Sequence, residues 1–140
     1  MILKILEKLG RKKIVLDRGP SHPEFHNAKP WMERYYLLFR KRPKWFPFNI
    51  FLHKILKSDL GDLHDHYWSY ITLVLKGGYW ETTKNGRFWR GPGYIGLRKA
   101  SDTHSLKIPE GKTAWTLIFV GPNKGSKQFA NFNKSSQNNR

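Results

Sequence analysis

Ile2, Ile5, Leu6 and Leu9 recur at the i, i+3, i+4, i+7 spacing of one helix face, with Lys4, Glu7 and Lys8 opposite and Gly10 placed to end the turn. The pattern predicts a short amphipathic helix that packs on the domain. A membrane-surface helix is the competing reading, and nine residues with a mixed charged face give it little apolar area to insert. Residues 17–30 (DRGPSHPEFHNAKP) have no apolar period and read as a loop. From Tyr35 onward the pattern shortens to aromatic and β-branched runs separated by turn signals. The runs are 34–40, 48–57, 67–76, 78–83, 87–90, 93–98, 104–108 and 113–120. Such evenly spaced short strands predict an all-β antiparallel sandwich or barrel. Asn85-Gly86 predicts a two-residue type I′ hairpin turn, which needs positive φ at both central residues. After Pro122 the chain is polar and basic, with Phe129 and Phe132 as its only aromatics, and its last residues are expected to be disordered.

At 140 residues, 39% of them hydrophobic, the chain fits one compact core. The expected division is an N-terminal helix and loop over 1–33, a barrel over 34–121 and a tail over 122–140. Lys plus Arg number 26 against 10 Asp plus Glu, a formal charge of +16. The excess is spread along the chain, since residues 1–60 carry 14 basic and 5 acidic groups and residues 61–140 carry 12 and 5. No basic tail accounts for it. The absence of Cys excludes disulfides, thiolate metal sites and cysteine nucleophiles, so any metal must be held by His, Asp or Glu. No apolar run approaches the roughly 20 residues of a membrane span, and no secretory apolar core is present at the start, so a soluble cytoplasmic protein is expected.

Asp62, His64 and His66 alternate with Leu63 and Asp65, and on an extended strand alternate residues project to one face, where two imidazoles can share a metal ion. An H-x-H pair alone is a weak signal. His53 shares the parity of Phe51 and Ile55 on the 48–57 run and is either a hydrogen-bonded core residue or a ligand or its supporter.

The spacing from His64 to Gly77 is H-x-H, three residues, Tyr70, six residues, Gly, and from Gly86 it is five residues, Pro92-Gly93 and then His104. This order resembles the two conserved motifs of the cupin superfamily over about residues 48–121. The run DLHDHYWSYITLVLKGGYWE also resembles small single-domain cupin-like proteins of bacteria and phages. Two departures stand out: Tyr70 occupies the position of the first motif's Glu, and Ser58 stands where its upstream Gly would be. The resemblance implies a double-stranded β-helix, or jelly-roll, barrel with a short N-terminal helix outside it.

Carried over by position, the resemblance implies His64, His66 and His104 as ligands of one divalent metal. Three imidazoles without a carboxylate resemble the Fe(II) centre of thiol dioxygenases, although imidazole also suits Zn, Ni and Cu. Asp62 or Glu81 could restore a carboxylate. Tyr70 would either donate a proton or hydrogen bond to a bound species or simply fill the barrel. Arg98 would either clamp a substrate carboxylate or lie solvated at its strand end.

The leading expectation is therefore a mononuclear metal-dependent oxygenase acting on a small anionic substrate. A non-oxygenase small-molecule-binding cupin or isomerase is the second reading. The third is a basic nucleic-acid-associated protein, because the WSY, GYW, RFW and AWT segments place aromatics beside Lys and Arg; against it, aromatics at period two in a small barrel mostly fill the core. Non-specific nucleic-acid affinity and a homodimer are the expected macromolecular associations, and no membrane partner is expected.

Overall fold

The computed structural model describes residues 1–18, 20–59 and 68–123. Nine strands follow α1 (Ile2–Lys8) in this part of the chain: β1 (Lys12–Leu16), β2 (Pro30–Tyr36), β3 (Asn49–Ile55), β4 (Trp68–Lys76), β5 (Tyr79–Thr83), β6 (Gly86–Arg90), β7 (Ile95–Arg98), β8 (Ser105–Lys107) and β9 (Ala114–Asn123). They form a six-stranded sheet in the order β1-β2-β3-β9-β4-β7 and a three-stranded sheet in the order β6-β5-β8, with every pair antiparallel. This is a jelly-roll barrel with a short N-terminal helix.

Period-two alternation fills the interior. On β3, Phe51, His53 and Ile55 point inward; on β4, Tyr70, Thr72 and Val74; on β9, Ala114, Thr116, Ile118 and Val120. Two apolar clusters result. One joins Ile55, Val74, Tyr79, Ile108 and Ala114, and the other joins Phe51, Tyr70, Ile118 and Val120. On each of the three strands one buried polar residue, His53, Thr72 or Thr116, sits between the two clusters. A polar layer inside a small barrel costs stability unless its groups find partners, so its placement marks the candidate site.

Several local expectations are revised. β1 lies at the sheet edge and buries no residue fully, so its attachment rests on the backbone ladder to β2 and no hydrophobic period announces it. Along α1 the half-buried residues are Leu3 and Leu6, whereas Ile2, Ile5 and Leu9 are exposed, so the helix rests on the domain by a narrower face than its period implies. The β5–β6 hairpin forms where expected, but not with a type I′ turn. Thr83 pairs with Gly86, Lys84 and Asn85 occupy the turn, no non-glycine residue described has positive φ, and Gly86 alone turns at φ +129°. Among the described residues no helix is long and apolar enough to cross a membrane.

Candidate active site in the barrel interior

Glu81 is the centre of the polar interior. It follows Tyr79 by two positions on β5, which turns both side chains inward and leaves Glu81 only 3% exposed. Its Oε2 lies 2.9 Å from His104 Nδ1, and its Oε1 accepts from Arg90 Nε at 3.1 Å and from the Arg98 guanidinium. Burial alone would raise this carboxyl; the hydrogen bonds from His104 and Arg98, together with Arg98's charge, overcome it and hold the group down at about 2. Glu81 is therefore ionised and can only accept, which puts a proton on His104 Nδ1. Two guanidinium groups against one carboxylate leave the cluster with a net positive charge.

Arg98 is positioned by the strand it ends. β7 pairs with β4 so that Arg98 faces Tyr70, and Arg98 also donates to the Tyr94 hydroxyl at 3.0 Å and to the Leu97 carbonyl at 3.0 Å. Gly96 makes room for this arrangement: a Cβ there would fall 2.6 Å from the Tyr94 hydroxyl. Arg90 completes the support, stacked over the Tyr94 ring at 4.3 Å.

Tyr70 enters the barrel from β4, with its hydroxyl 3.4 Å from His104 Nε2 and 3.5 Å from Nδ1. At that length the contact is weak, and the near-equal distances place the hydroxyl beside the ring rather than along one lone pair. Burial, then the Glu81 charge, pushes the phenol above its ordinary range, so it is a proton donor at neutral pH. On the opposite strand Arg34 Nε donates to His53 Nε2 at 2.9 Å, and the Phe51 and His53 rings stack at 5.8 Å. A guanidinium has no acceptor, so His53 Nε2 is unprotonated and the proton of its neutral ring sits on Nδ1. The Thr116 hydroxyl, beside His53 in register, is buried without a hydrogen-bond partner among the described residues.

Of the residues singled out in the sequence, the structure brings together Tyr70, Glu81, Arg98 and His104. Asp62, His64 and His66 lie outside the described residues. Arg98 is half-buried rather than a free solvated strand end, because its guanidinium is bound to Glu81 and Tyr94. Both Glu81 oxygens are likewise engaged, which leaves it as a support for His104 rather than a ligand in this arrangement. Among the described residues no three His, Asp or Glu side chains cluster as a metal site. His104 is buried and its Nδ1 is held by the Glu81 carboxylate, the arrangement in which a metal-bound imidazole is commonly oriented through its other nitrogen. Arg90 and Tyr94, which contact Glu81 and Arg98, belong to the site and carried no motif in the sequence.

No family model and no curated protein matches the chain. Solved structures do. The chain is similar to the polyketide cyclase RemF from Streptomyces resistomycificus, with a TM-score of 0.56 and 16% identity over 78% of this chain and 74% of that one. It is similar to KdgF from a Halomonas species, with a TM-score of 0.52 and 16% identity over 66% of this chain and 82% of that one. A cupin superfamily protein from Desulfitobacterium hafniense gives a TM-score of 0.51 and 13% identity over 65% and 77%. The chain has the cupin fold.

Proposed function

We propose that the protein is a metal-dependent cupin enzyme in which His64, His66 and His104 hold one divalent ion inside the barrel, Fe(II) foremost, with Zn, Ni and Cu open to the same ligand chemistry. The observation that carries this reading is the buried Glu81–His104 hydrogen bond, which fixes the ring's tautomer and orientation. The net positive charge of the Arg90–Glu81–Arg98 cluster favours a small anionic substrate beside His104. Tyr70 then donates a hydrogen bond or proton to that substrate, a role supported by its buried, protonated phenol beside His104. When bound, an Fe(II) ion with three imidazole ligands supplies open coordination positions for substrate and dioxygen, the chemistry of a thiol-dioxygenase-like oxygenase. Protein purified without tag or chelator is the test. Stoichiometric iron, with oxygen consumption on adding small thiols or 2-oxoglutarate, supports the oxygenase; a metal content near zero that no added ion restores removes it.

A second reading rests on Glu81, His104 and Tyr70. A carboxylate-held imidazole with a separate phenol beside it is an acid–base pair that can act on a substrate without metal, which suits an isomerase or a ring-closing enzyme, and RemF, named as a polyketide cyclase, has the same fold. Turnover that persists in chelator would select this reading.

A further inference from the structure

The outer face of the smaller sheet carries a second feature that the barrel interior does not use. Register places Trp89, Trp80 and Lys107 in one row across β6, β5 and β8, and Arg87, Thr82 and Ser105 in the next. Because Glu81 points inward, Trp80 and Thr82 must point outward, and none of these six outward side chains is acidic. Trp80 and Trp89 are 37% and 46% exposed, against the expectation that such aromatics fill the core. Their rings meet edge to face at 5.4 Å, and Arg87 lies over the Trp80 ring at 4.8 Å. The Trp89 ring is seated: it lies 2.6 Å from where a Cβ on Gly78 would stand, a position the Arg90 carbonyl also crowds at 2.8 Å, and 3.1 Å from one on Gly91, so Gly78 makes room for the ring to lie on the sheet. Beside the tryptophans, Thr82, Arg87, Ser105 and Lys107 line one wall of an open groove whose carboxylate, Asp59, accepts the Leu106 N–H at 2.6 Å.

We propose that this face binds single-stranded nucleic acid, with bases stacking on Trp89 and on the Arg87 guanidinium plane that lies over Trp80, and phosphates meeting Lys107. Exposed indoles on a sheet, flanked by Arg87 and Lys107, with the groove's one carboxylate among the described residues, Asp59, bound to the Leu106 N–H, are the two parts of such a platform: stacking without sequence preference and a charge that follows the backbone. The chain's charge of +16 favours a polyanion over a neutral sugar or a second copy of itself. Duplex nucleic acid keeps its bases in the stack and cannot use the indoles, so the face discriminates by strandedness.

Fluorescence anisotropy with a labelled mixed-sequence 12-mer of single-stranded RNA or DNA, its duplex as competitor, tests this on the full chain. Trp89→Ala and Trp80→Ala should each weaken binding roughly tenfold. Lys107→Ala should weaken it and flatten the salt dependence by about 0.7 in log–log slope. Trp45, 80% exposed in the basic 40–45 loop, is the internal control, and Trp45→Ala should leave binding unchanged. Trp89→Phe, which keeps a stacking ring, should retain most affinity and guards against a folding defect in the alanine variant. The proposal is overturned if the tryptophan variants bind as the wild type does, if duplex competes equally, or if only Trp45→Ala matters. It is equally overturned if phosphatidylglycerol vesicles are bound through Trp80 and Trp89 and the oligonucleotide is not, or if light scattering shows the two tryptophans holding a dimer.

Discussion

His104 Nδ1 and Glu81 Oε2 stand 2.9 Å apart between two buried side chains 23 positions apart in sequence. The hydrogen bond orients the imidazole from behind, and His104 together with Arg98 on the other carboxylate oxygen keeps Glu81 charged in a place where burial opposes charge.

Removing that charge should loosen both the fold and the ring. Glu81→Ala leaves two guanidinium groups without their counter-ion and is expected to cost about 3–5 kcal/mol in urea unfolding. Glu81→Gln keeps the volume and should lower the affinity for added Fe(II) or Zn by roughly 10–100-fold, read by competition with a metal-sensitive dye. Unchanged affinity in the glutamine variant would mean that Glu81 is structural only.

Tyr70 and His104 separate metal holding from chemistry. Tyr70→Phe should leave metal content as it is while lowering turnover by about 100-fold, the size of a lost general acid. His104→Ala should lower both. Measuring metal by elemental analysis alongside initial rates distinguishes the two, and intact turnover in Tyr70→Phe would reduce Tyr70 to packing.

Gly77, the last residue of the first motif, is fixed by space as well as by backbone. Its φ is +76°, and a Cβ would stand 2.2 Å from the Thr113 carbonyl oxygen. Gly77→Ala is expected to cost at least ~1–3 kcal/mol from the backbone alone, with the carbonyl clash added to it. The midpoint of urea unfolding reads this directly; an unshifted midpoint would contradict the close approach of β4's end to β9's start.

Asp17 supplies a pH-dependent tether. It accepts from the Lys57 ammonium and from the Lys29 backbone N–H, and these two contacts, in that order, hold its carboxyl below the ordinary range. Because the folded value is the lower one, the stabilisation is fully present above the unfolded carboxyl's pKa of ~3.9 and disappears as pH falls through the folded value. Stability measured by urea from about pH 6 down to about pH 3 should therefore fall less steeply in Asp17→Asn than in the wild type at the acid end. Parallel curves would show that the tether does not contribute.

Much of the fold was legible because burial has a period. The inward parity of Phe51, His53 and Ile55 follows from alternation on a strand buried on one side, and the glycine and histidine spacings pointed to the cupin fold that the solved structures share. β1 was not legible, since an edge strand held by its backbone ladder needs no apolar period.

The sequence by itself determined the strand succession from β2 onward, the absence of thiol chemistry, the spread of positive charge and the candidacy of Tyr70, Glu81, Arg98 and His104. Only the tertiary structure decided what those residues touch and which way each strand faces. The reason is physical: in Tyr79-Trp80-Glu81 aromatics occupy both phases of the strand, so local hydrophobicity cannot say which phase is inside. Pairing with β6 and β8 and packing against Ile55 and Val74 turn Tyr79 inward, and that single choice buries Glu81 against His104 and leaves Trp80 on the surface.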